Sequence, residues 1–302
     1  MVHKSQLIQL FMNCKCQFAM VAMMAVGGVF GEAALSPLQE ESANTNLVEQ
    51  AREWVGVSAF AELQTAYLAR GKVVDARPFS AQFVDGEVKL GDFGHAGGHA
   101  WSVTSLSGSG QGAPKRYAYN EVDYNLHYVY DLKITDEWTL ENRVARQWVT
   151  LPGYHGDAKT ICEWHAAQAL HNPYVTPYYL LRHSCQPEVW SYWDIGAKRS
   201  FALTDELSFT VDFFGDCGDA RHFTSQYGPK PDQPTSRYHG GLMALNLVLR
   251  LDYRITELLS VYAFVWQFDI VSDAARDTVK ATKLPEARRD ITVGGVGLAL
   301  NF

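Results

Sequence analysis

Between residues 121 and 132 hydrophobicity alternates with a period of two, and this stretch restricts the possible folds more than any other. Val122, Tyr124, Leu126, Tyr128, Tyr130 and Leu132 fall on one side; Glu121, Asp123, Asn125, His127 and Asp131 fall on the other. A β-strand turns successive side chains to opposite faces, so this is a strand with one apolar and one acidic face. Residues 238–253 follow the same plan, with Leu245, Leu247, Leu249, Leu251 and Tyr253 alternating with Asn246, Arg250 and Asp252. Residues 207–213 set Leu207, Phe209, Val211 and Phe213 against Ser208, Thr210 and Asp212. Faces so sharply divided need two different solvents, and lipid outside with water inside supplies them.

From residue 57 onward the chain reads as twelve candidate strands, near 58–70, 77–87, 91–106, 117–132, 138–150, 160–170, 174–184, 190–201, 207–215, 238–253, 258–270 and 291–302. Most reach the roughly 9–11 residues with which a tilted strand crosses a bilayer. Three connections share one chemistry: 134–140 (ITDEWTL), 203–209 (LTDELSF) and 255–261 (ITELLSV) align without gaps. Their Thr and Asp or Glu side chains can bind nearby backbone, which favours tight turns. These turns follow strands four, eight and ten, and the short segment 171–174 follows strand six. The long connections 107–116, 151–159, 216–237 and 271–290, rich in Gly, Pro, Asp and Lys, all follow odd-numbered strands. Short turns at one end and long polar loops at the other suit an up-and-down barrel set in a membrane.

Composition excludes some alternatives. A net charge of −7 offers no basic surface for nucleic acid. Aromatic residues make up 13 % of the chain, including fifteen Tyr and eight Trp, rings suited to a membrane–water boundary. After residue 33 no apolar run is long enough for a spanning helix. The N-terminus reads as a signal peptide over 1–33, with an apolar core at 18–30 behind Lys4 and Lys15 and a cleavage site at Gly31, Glu32 and Ala33. Met12 is an alternative start. Cys14 and Cys16 precede the apolar core, whereas a lipidated cysteine would follow it. Residues 34–56 are expected to form a periplasmic linker or short helix, and 57–302 the barrel.

The last strand carries a resemblance. Val296, Leu298, Leu300 and the terminal Phe302 share one face, and this pattern resembles the C-terminal assembly signal of Gram-negative outer-membrane β-barrel proteins. The resemblance implies the bacterial outer membrane, insertion by the barrel-assembly machinery, and contact with outer-membrane lipid and lipopolysaccharide. Tyr67-Leu68-Ala69-Arg70-Gly71 also looks like the Tyr-x-x-Arg-Gly signature opening a family of uncharacterised proteobacterial barrels, which would supply a fold and a location but no activity.

Parity assigns Glu62, Gln64 and Arg70 to the lumen, together with Asp123, Asn125, His127, Asp194, Lys198, Asp212, Arg250 and Asp252. They are read either as a pore constriction or as salt bridges that fill a small barrel. Counting outward from Asn172 and Pro173 places Glu163 across from Arg182 and His165 beside Leu180. Ser184 then falls at the rim, away from His165, so no catalytic group is assigned; the His-x-Ser pattern of outer-membrane phospholipases is absent. His95 and His99 have the i,i+4 spacing of helix-borne metal ligands, but Gly94, Gly97 and Gly98 give a strand-like context, and no metal or cofactor is assigned. Cys162, Cys185 and Cys217 follow the signal, enough for one disulfide whose pairing the sequence leaves open.

Two strands strain the pattern. Strand five puts Asn142 and Arg146 on the lipid face. Strand eleven is apolar on both faces, which calls for an inner plug or a bulge. The expected function is a porin-like channel for a small solute or a structural envelope component. The alternatives are a barrel enzyme acting on lipid or peptide, and a soluble secreted β-barrel or sandwich that binds a ligand.

Overall fold

The computed structural model describes residues 54–106, 119–152, 160–227, 239–282 and 289–302. The expected signal peptide and nearly all of the linker lie outside the described residues, as do most of the long loops. The strands are β1 (Val55–Gln64), β2 (Tyr67–Ala69), β3 (Lys72–Asp75), β4 (Phe79–Lys89), β5 (His95–Ser105), β6 (Tyr119–Lys133) and β7 (Thr139–Thr150), then β8 (Ile161–His171), β9 (Thr176–Gln186), β10 (Trp190–Ala202), β11 (Leu207–Gly218), β12 (Gly241–Arg254), β13 (Leu259–Ile270) and β14 (Asp290–Asn301). Helix α1 (Ala220–Tyr227) follows β11, and α2 (Asp273–Thr282) follows β13. All strands except β2 and β3 form one closed antiparallel barrel of twelve, each paired with its neighbours in sequence.

Closure joins β1 to β14, with Leu63 opposite Val296, Ala61 opposite Leu298 and Ala59 opposite Leu300. Beyond the strands, Val57 N donates to Phe302 O at 3.0 Å and Phe302 N to Val57 O at 2.8 Å. No open edge is left among the barrel strands, and hydrocarbon tolerates none. A strand of eleven residues spans roughly 37 Å, or about 28 Å across the membrane at a tilt near 40°, close to a bilayer core of about 30 Å.

The faces divide as the alternation predicts. On β6, Tyr124, Leu126, Tyr128 and Tyr130 are exposed outside, while Asp123, Asn125, His127 and Val129 are buried inside. Leu247, Leu249, Leu251 and Tyr253 line the outside of β12, and Val296 and Leu298 that of β14. An exterior this apolar, around a charged interior, is that of a membrane-spanning barrel.

The three aligned turns share one geometry. Thr204 Oγ1 accepts from Glu206 N and Leu207 N, and Thr256 Oγ1 accepts from Leu258 N and Leu259 N. Thr135 Oγ1 accepts from Glu137 N at 3.3 Å. At each turn, two amides also close on one carbonyl, of Trp138, Leu207 or Leu259. The hydroxyl replaces a strand partner, which is why Thr recurs there.

Several expectations need correction. The first strand ends at Gln64, not near 70, and the connection to β4 turns back into the barrel as the hairpin β2–β3. Arg70 therefore sits on this hairpin and not on strand one. Arg70 and Gly71 form its tip with φ of 52° and 77°, the pair of positive angles of a tight hairpin turn. Two connections read as polar loops contain helices instead. Helix α1 starts at Asp219, whose carboxylate accepts from His222 N at 2.7 Å and Ser191 N at 2.8 Å, as an N-cap does.

The β8–β9 register is displaced by two residues from the counted one. Glu163 faces Ser184, His165 faces Arg182 and Ala167 faces Leu180, because the turn occupies 172–175, with Asn172 Oδ1 accepting from Tyr174 N and Val175 N. Among the described residues, Cys162, Cys185 and Cys217 are free thiols. A register shift at Cys162 pairs it with Gln186 and leaves Cys185 at the irregularity; Cys217 lies on β11 across from Trp193.

The two awkward strands resolve without a change of face. Asn142 and Arg146 do point outward, opposite Tyr130 and Leu126. Asn142 Oδ1 accepts from Gln168 Nε2 at 2.6 Å, and the Arg146 guanidinium stacks 4.6 Å above the Trp164 ring. The inner aromatics of β13 meet a plug: Phe268 belongs to a buried cluster with Leu68 and Val73 of the hairpin, and Phe264 and Trp266 pack against it.

Candidate functional site

The hairpin places a short apolar plug and a charged tip inside the end of the barrel that carries the long connections, here the loop end. Ala66, Leu68 and Val73 join Trp190, Tyr192, Phe223 of α1, Met243 and Ala275 of α2 in the same buried cluster. Tyr67 packs in a second cluster with Phe79, Ala81 and Val103. Burying this apolar area is the main attraction holding the plug.

Polar contacts fix its position. The Arg70 guanidinium bonds Glu163 at 3.0 Å, and the Glu163 side chain is wholly inaccessible. His165 Nε2 approaches the other Glu163 oxygen at 3.0 Å. Arg70 also lies 5.9 Å from the Trp190 ring centroid, and its carbonyl accepts from His222 Nε2 at 3.3 Å. Tyr67 Oη donates to Glu121 at 2.8 Å, and Tyr227 Oη donates to Gly71 O at 2.5 Å. Burial works against the Arg70 charge, but Glu163, Glu121 and Asp123 outweigh it and keep the guanidinium protonated. Burial, with Arg70 nearby, depresses Lys72 to about 8. Burial also lowers His222 to about 4, and the Arg70 charge adds to the effect. His222 is therefore a neutral ring, packed at a tilt against Trp190 and Tyr192 with centroids 4.7 and 4.8 Å away.

The remaining lumen residues named from the sequence fall into further groups. Asp123 accepts from Gln147 at 2.7 Å. Arg182 bonds Asp194 at 2.7 Å. Toward the opposite, turn end, Tyr178 donates to Asp212 and Tyr262 to Glu62, each at 2.8 Å. Arg250 pairs with Asp252 at 2.6 Å and lies 3.8 Å from the Tyr262 ring centroid. His127 contacts Glu87 at 2.8 Å. The interior thus carries several small polar groups distributed along the barrel wall.

Sequence reasoning missed several participants. Asp216 is buried and accepts from Tyr192 Oη at 2.6 Å and Asn246 Nδ2 at 2.8 Å. Its strand was ended at 215, one residue short; continued parity would have included it. Asp85 and Glu87 were missed because Phe83, on the same inner face, blurs the alternation of β4. His222 lay in a stretch read as loop, and nothing in its local sequence points to the lumen.

The residues weighed for a triad are held by other partners. His165 faces Glu163, but Ser184 Oγ donates to the carbonyls of Glu188 at 2.8 Å and Gln186 at 3.4 Å. Ser191 Oγ and His183 Nδ1 do meet at 3.0 Å, yet no described carboxylate bonds the other nitrogen of His183 to orient it.

No protein-family model matches the sequence, and no curated protein sequence is similar to it. Solved structures share the barrel architecture. The KdgM porin superposes with a TM-score of 0.45 at 8 % identity, over 82 % of this chain and 99 % of its own. The translocator domain of the autotransporter NalP from Neisseria meningitidis gives 0.46 at 13 % identity, over 87 % and 98 %. An outer membrane channel from Pseudomonas putida F1 gives 0.45 at 9 % identity, over 90 % and 98 %. At this distance the likeness concerns barrel architecture and carries nothing about cargo.

Proposed function

We propose that this chain is an outer-membrane barrel that passes a small solute through a gated lumen, the β2–β3 hairpin being the gate. The observation that carries this reading is the non-covalent seating of the hairpin: the Arg70–Glu163 pair and the Tyr67–Glu121 hydrogen bond hold its tip in a charged lumen. Such contacts can be exchanged for water or for a charged ligand, whereas a wholly apolar plug would have no reason to leave. The mixed charges further along the wall, Arg182 with Asp194 and Arg250 with Asp252, would then select what passes.

In this reading the turn end faces the periplasm and the loop end faces outward. The exterior contacts outer-membrane lipid and lipopolysaccharide, and the last strand, with Val296, Leu298, Leu300 and Phe302, is read by the barrel-assembly machinery. Membership of the Tyr-x-x-Arg-Gly barrels is part of the same proposal; Tyr67 and Arg70 of that motif supply the two anchoring contacts of the plug. Cys162, Cys185 and Cys217 have no assigned role, and no catalytic step is included.

Planar-bilayer recording of the refolded protein tests the gate. The wild type should give rare, brief current steps. The double variant Tyr67→Phe, Arg70→Ala should open more often, and a barrel with residues 66–77 replaced by a short Gly-Ser turn should conduct steadily. A hairpin-deleted barrel that is folded, by its heat-modifiable gel migration, but stays silent would leave a structural envelope role.

A further inference from the structure

Near the middle of the lumen, three inward side chains from adjacent strands converge. Asp85 of β4 is paired with His99 of β5, and His127 of β6 lies across from Gly97 of β5. Gly97 matters to this convergence: a Cβ there would come within 2.9 Å of His127 Nε2. Its missing side chain lets the His127 ring lie across β5 toward β4. One carboxylate oxygen of Asp85 and one ring nitrogen of each histidine all fall within 4.8 Å of one another.

The hydrogen bonding within the group is incomplete. Asp85 Oδ1 and His99 Nδ1 are buried without any hydrogen-bond partner, although Asp85 is only 9 % exposed. A buried carboxylate oxygen left this way is costly unless something positive satisfies it. The Asp85 oxygen faces His127 Nε2 at 3.9 Å, too long for a hydrogen bond. On the other side of the His127 ring, Nδ1 lies 3.2 Å from Asn125 Oδ1. An oxygen acceptor on the far ring nitrogen is the usual way a ligating histidine is oriented. Glu87 Oε1 lies 2.8 Å from His127 Nε2 and its other oxygen 2.8 Å from His95 Nδ1. A second carboxylate therefore stands beside the cluster.

A cavity of about 270 Å³ at the turn end touches the carboxylate side of the group. Asp85 and Glu87 line it, together with Ser58, Asn301 and Phe302. None of the residues that line this cavity belongs to the hairpin.

We infer that Asp85, His99 and His127 form a binding site for a divalent transition-metal ion of the zinc class, with Glu87 as the fourth ligand. Two imidazoles and two carboxylates match the borderline preference of such ions, whereas magnesium and calcium favour all-oxygen shells. Tetrahedral bonds of about 2.0–2.2 Å set ligand atoms about 3.3–3.6 Å apart, so the cluster must contract from its present spread of up to 4.8 Å to hold the ion. An ion on His127 Nε2 displaces its contact with Glu87 and leaves that carboxylate adjacent to the metal. Two carboxylates neutralise the charge of the ion. The site is separate from the gate and stands whether or not the barrel conducts.

The test is calorimetric titration of the untagged, refolded full chain with Zn²⁺, and with Mg²⁺ and Ca²⁺ as controls. A single Zn²⁺ should bind at micromolar or lower dissociation constant while Mg²⁺ and Ca²⁺ give no heat. Co²⁺ in its place should show the intense visible absorption of a tetrahedral ion. His99→Ala and His127→Gln should each weaken binding at least tenfold, with folding checked by heat-modifiable migration. His171→Ala, at the exposed His171–Glu141 pair of the turn end, should leave it unchanged. Should either lumen variant misfold, the Co²⁺ spectrum of Asp85→Asn decides, with loss of the tetrahedral band expected. Absence of Zn²⁺ binding, or binding abolished by His171→Ala and untouched by His99→Ala, overturns the site.

Discussion

Arg70 occupies the left-handed region that disfavours most side chains, with φ of 52°. What fixes it there is its carboxylate partner, since Glu163 has no solvent to fall back on. Removing the guanidinium leaves a buried charge uncompensated, a loss of roughly 3–5 kcal/mol for such pairs. We expect Arg70→Ala to free the hairpin far more than Glu163→Gln does, seen as faster proteolysis at residues 65–78 in proteoliposomes. Equal protection of the two variants would contradict the role given to the pair. His222 supplies a pH dependence of known sign. Its docked value of about 4 lies below the ordinary histidine value of 6.5, so the undocked ring takes up a proton first as pH falls. Docking of α1 is at full strength above pH 6.5, weakens as pH drops toward 4, and loses of order 3 kcal/mol in all. Trp190, packed against that ring, should report this as a fluorescence change over the same window. His222→Gln should abolish it.

At the scale of elements, the turns and strands were legible and the hairpin was not. The alternation on β6 and β12 specified both faces because lipid and lumen impose opposite demands on every second residue. Thr135, Thr204 and Thr256 marked their turns because each hydroxyl does work that backbone alone cannot. Thr204→Val should therefore cost about 1 kcal/mol in equilibrium unfolding by urea, while Asp205→Ala, exposed in the same turn, should cost little. The hairpin escaped notice because β2 continues the apolar rhythm of β1 and β3 is only four residues long, and periodicity does not record a reversal of direction. Its signal was the pair Arg70-Gly71 at the tip. A Cβ at Gly71 would lie 3.1 Å from Met243 Cε with φ at 77°. Gly71→Val is expected to destabilise the docked plug by about 1–2 kcal/mol through strained backbone and crowding, measured by the same unfolding assay. The cluster of Asp85, His99 and His127 was illegible for another reason: it depends on which strands are neighbours and on the space left by Gly97, neither of which a single strand reveals.

At the scale of the whole molecule, the barrel count and the sorting of loops followed from parity, whereas the contents of the lumen depended on where the first connection goes. The doubly apolar β13 was a second trace of a plug in the sequence, because Phe264, Trp266 and Phe268 need something dry to face. The seam between β1 and β14 is sealed at its turn end by the two Val57–Phe302 hydrogen bonds. Deleting Phe302 removes both at the point where the ladder finishes, and should lower the temperature at which heat-modified migration is lost by several degrees, with little change in exterior lipid contacts.

That seam also imposes an order of events. The hairpin is the link between the first two barrel strands, and one of them, β1, is half of the seam. A chain made from its N-terminus has β1, the hairpin and β4 in hand long before β14 exists, yet the ring cannot shut until β14 arrives. The partners of the plug, Glu163, Trp190, Tyr192, Met243 and Ala275, all lie on later elements, so its seat fills in as the wall is added. The seat and the seam therefore depend on one another, because Val293 of the closing strand belongs to the same buried cluster as Leu68 and Val73 of the hairpin.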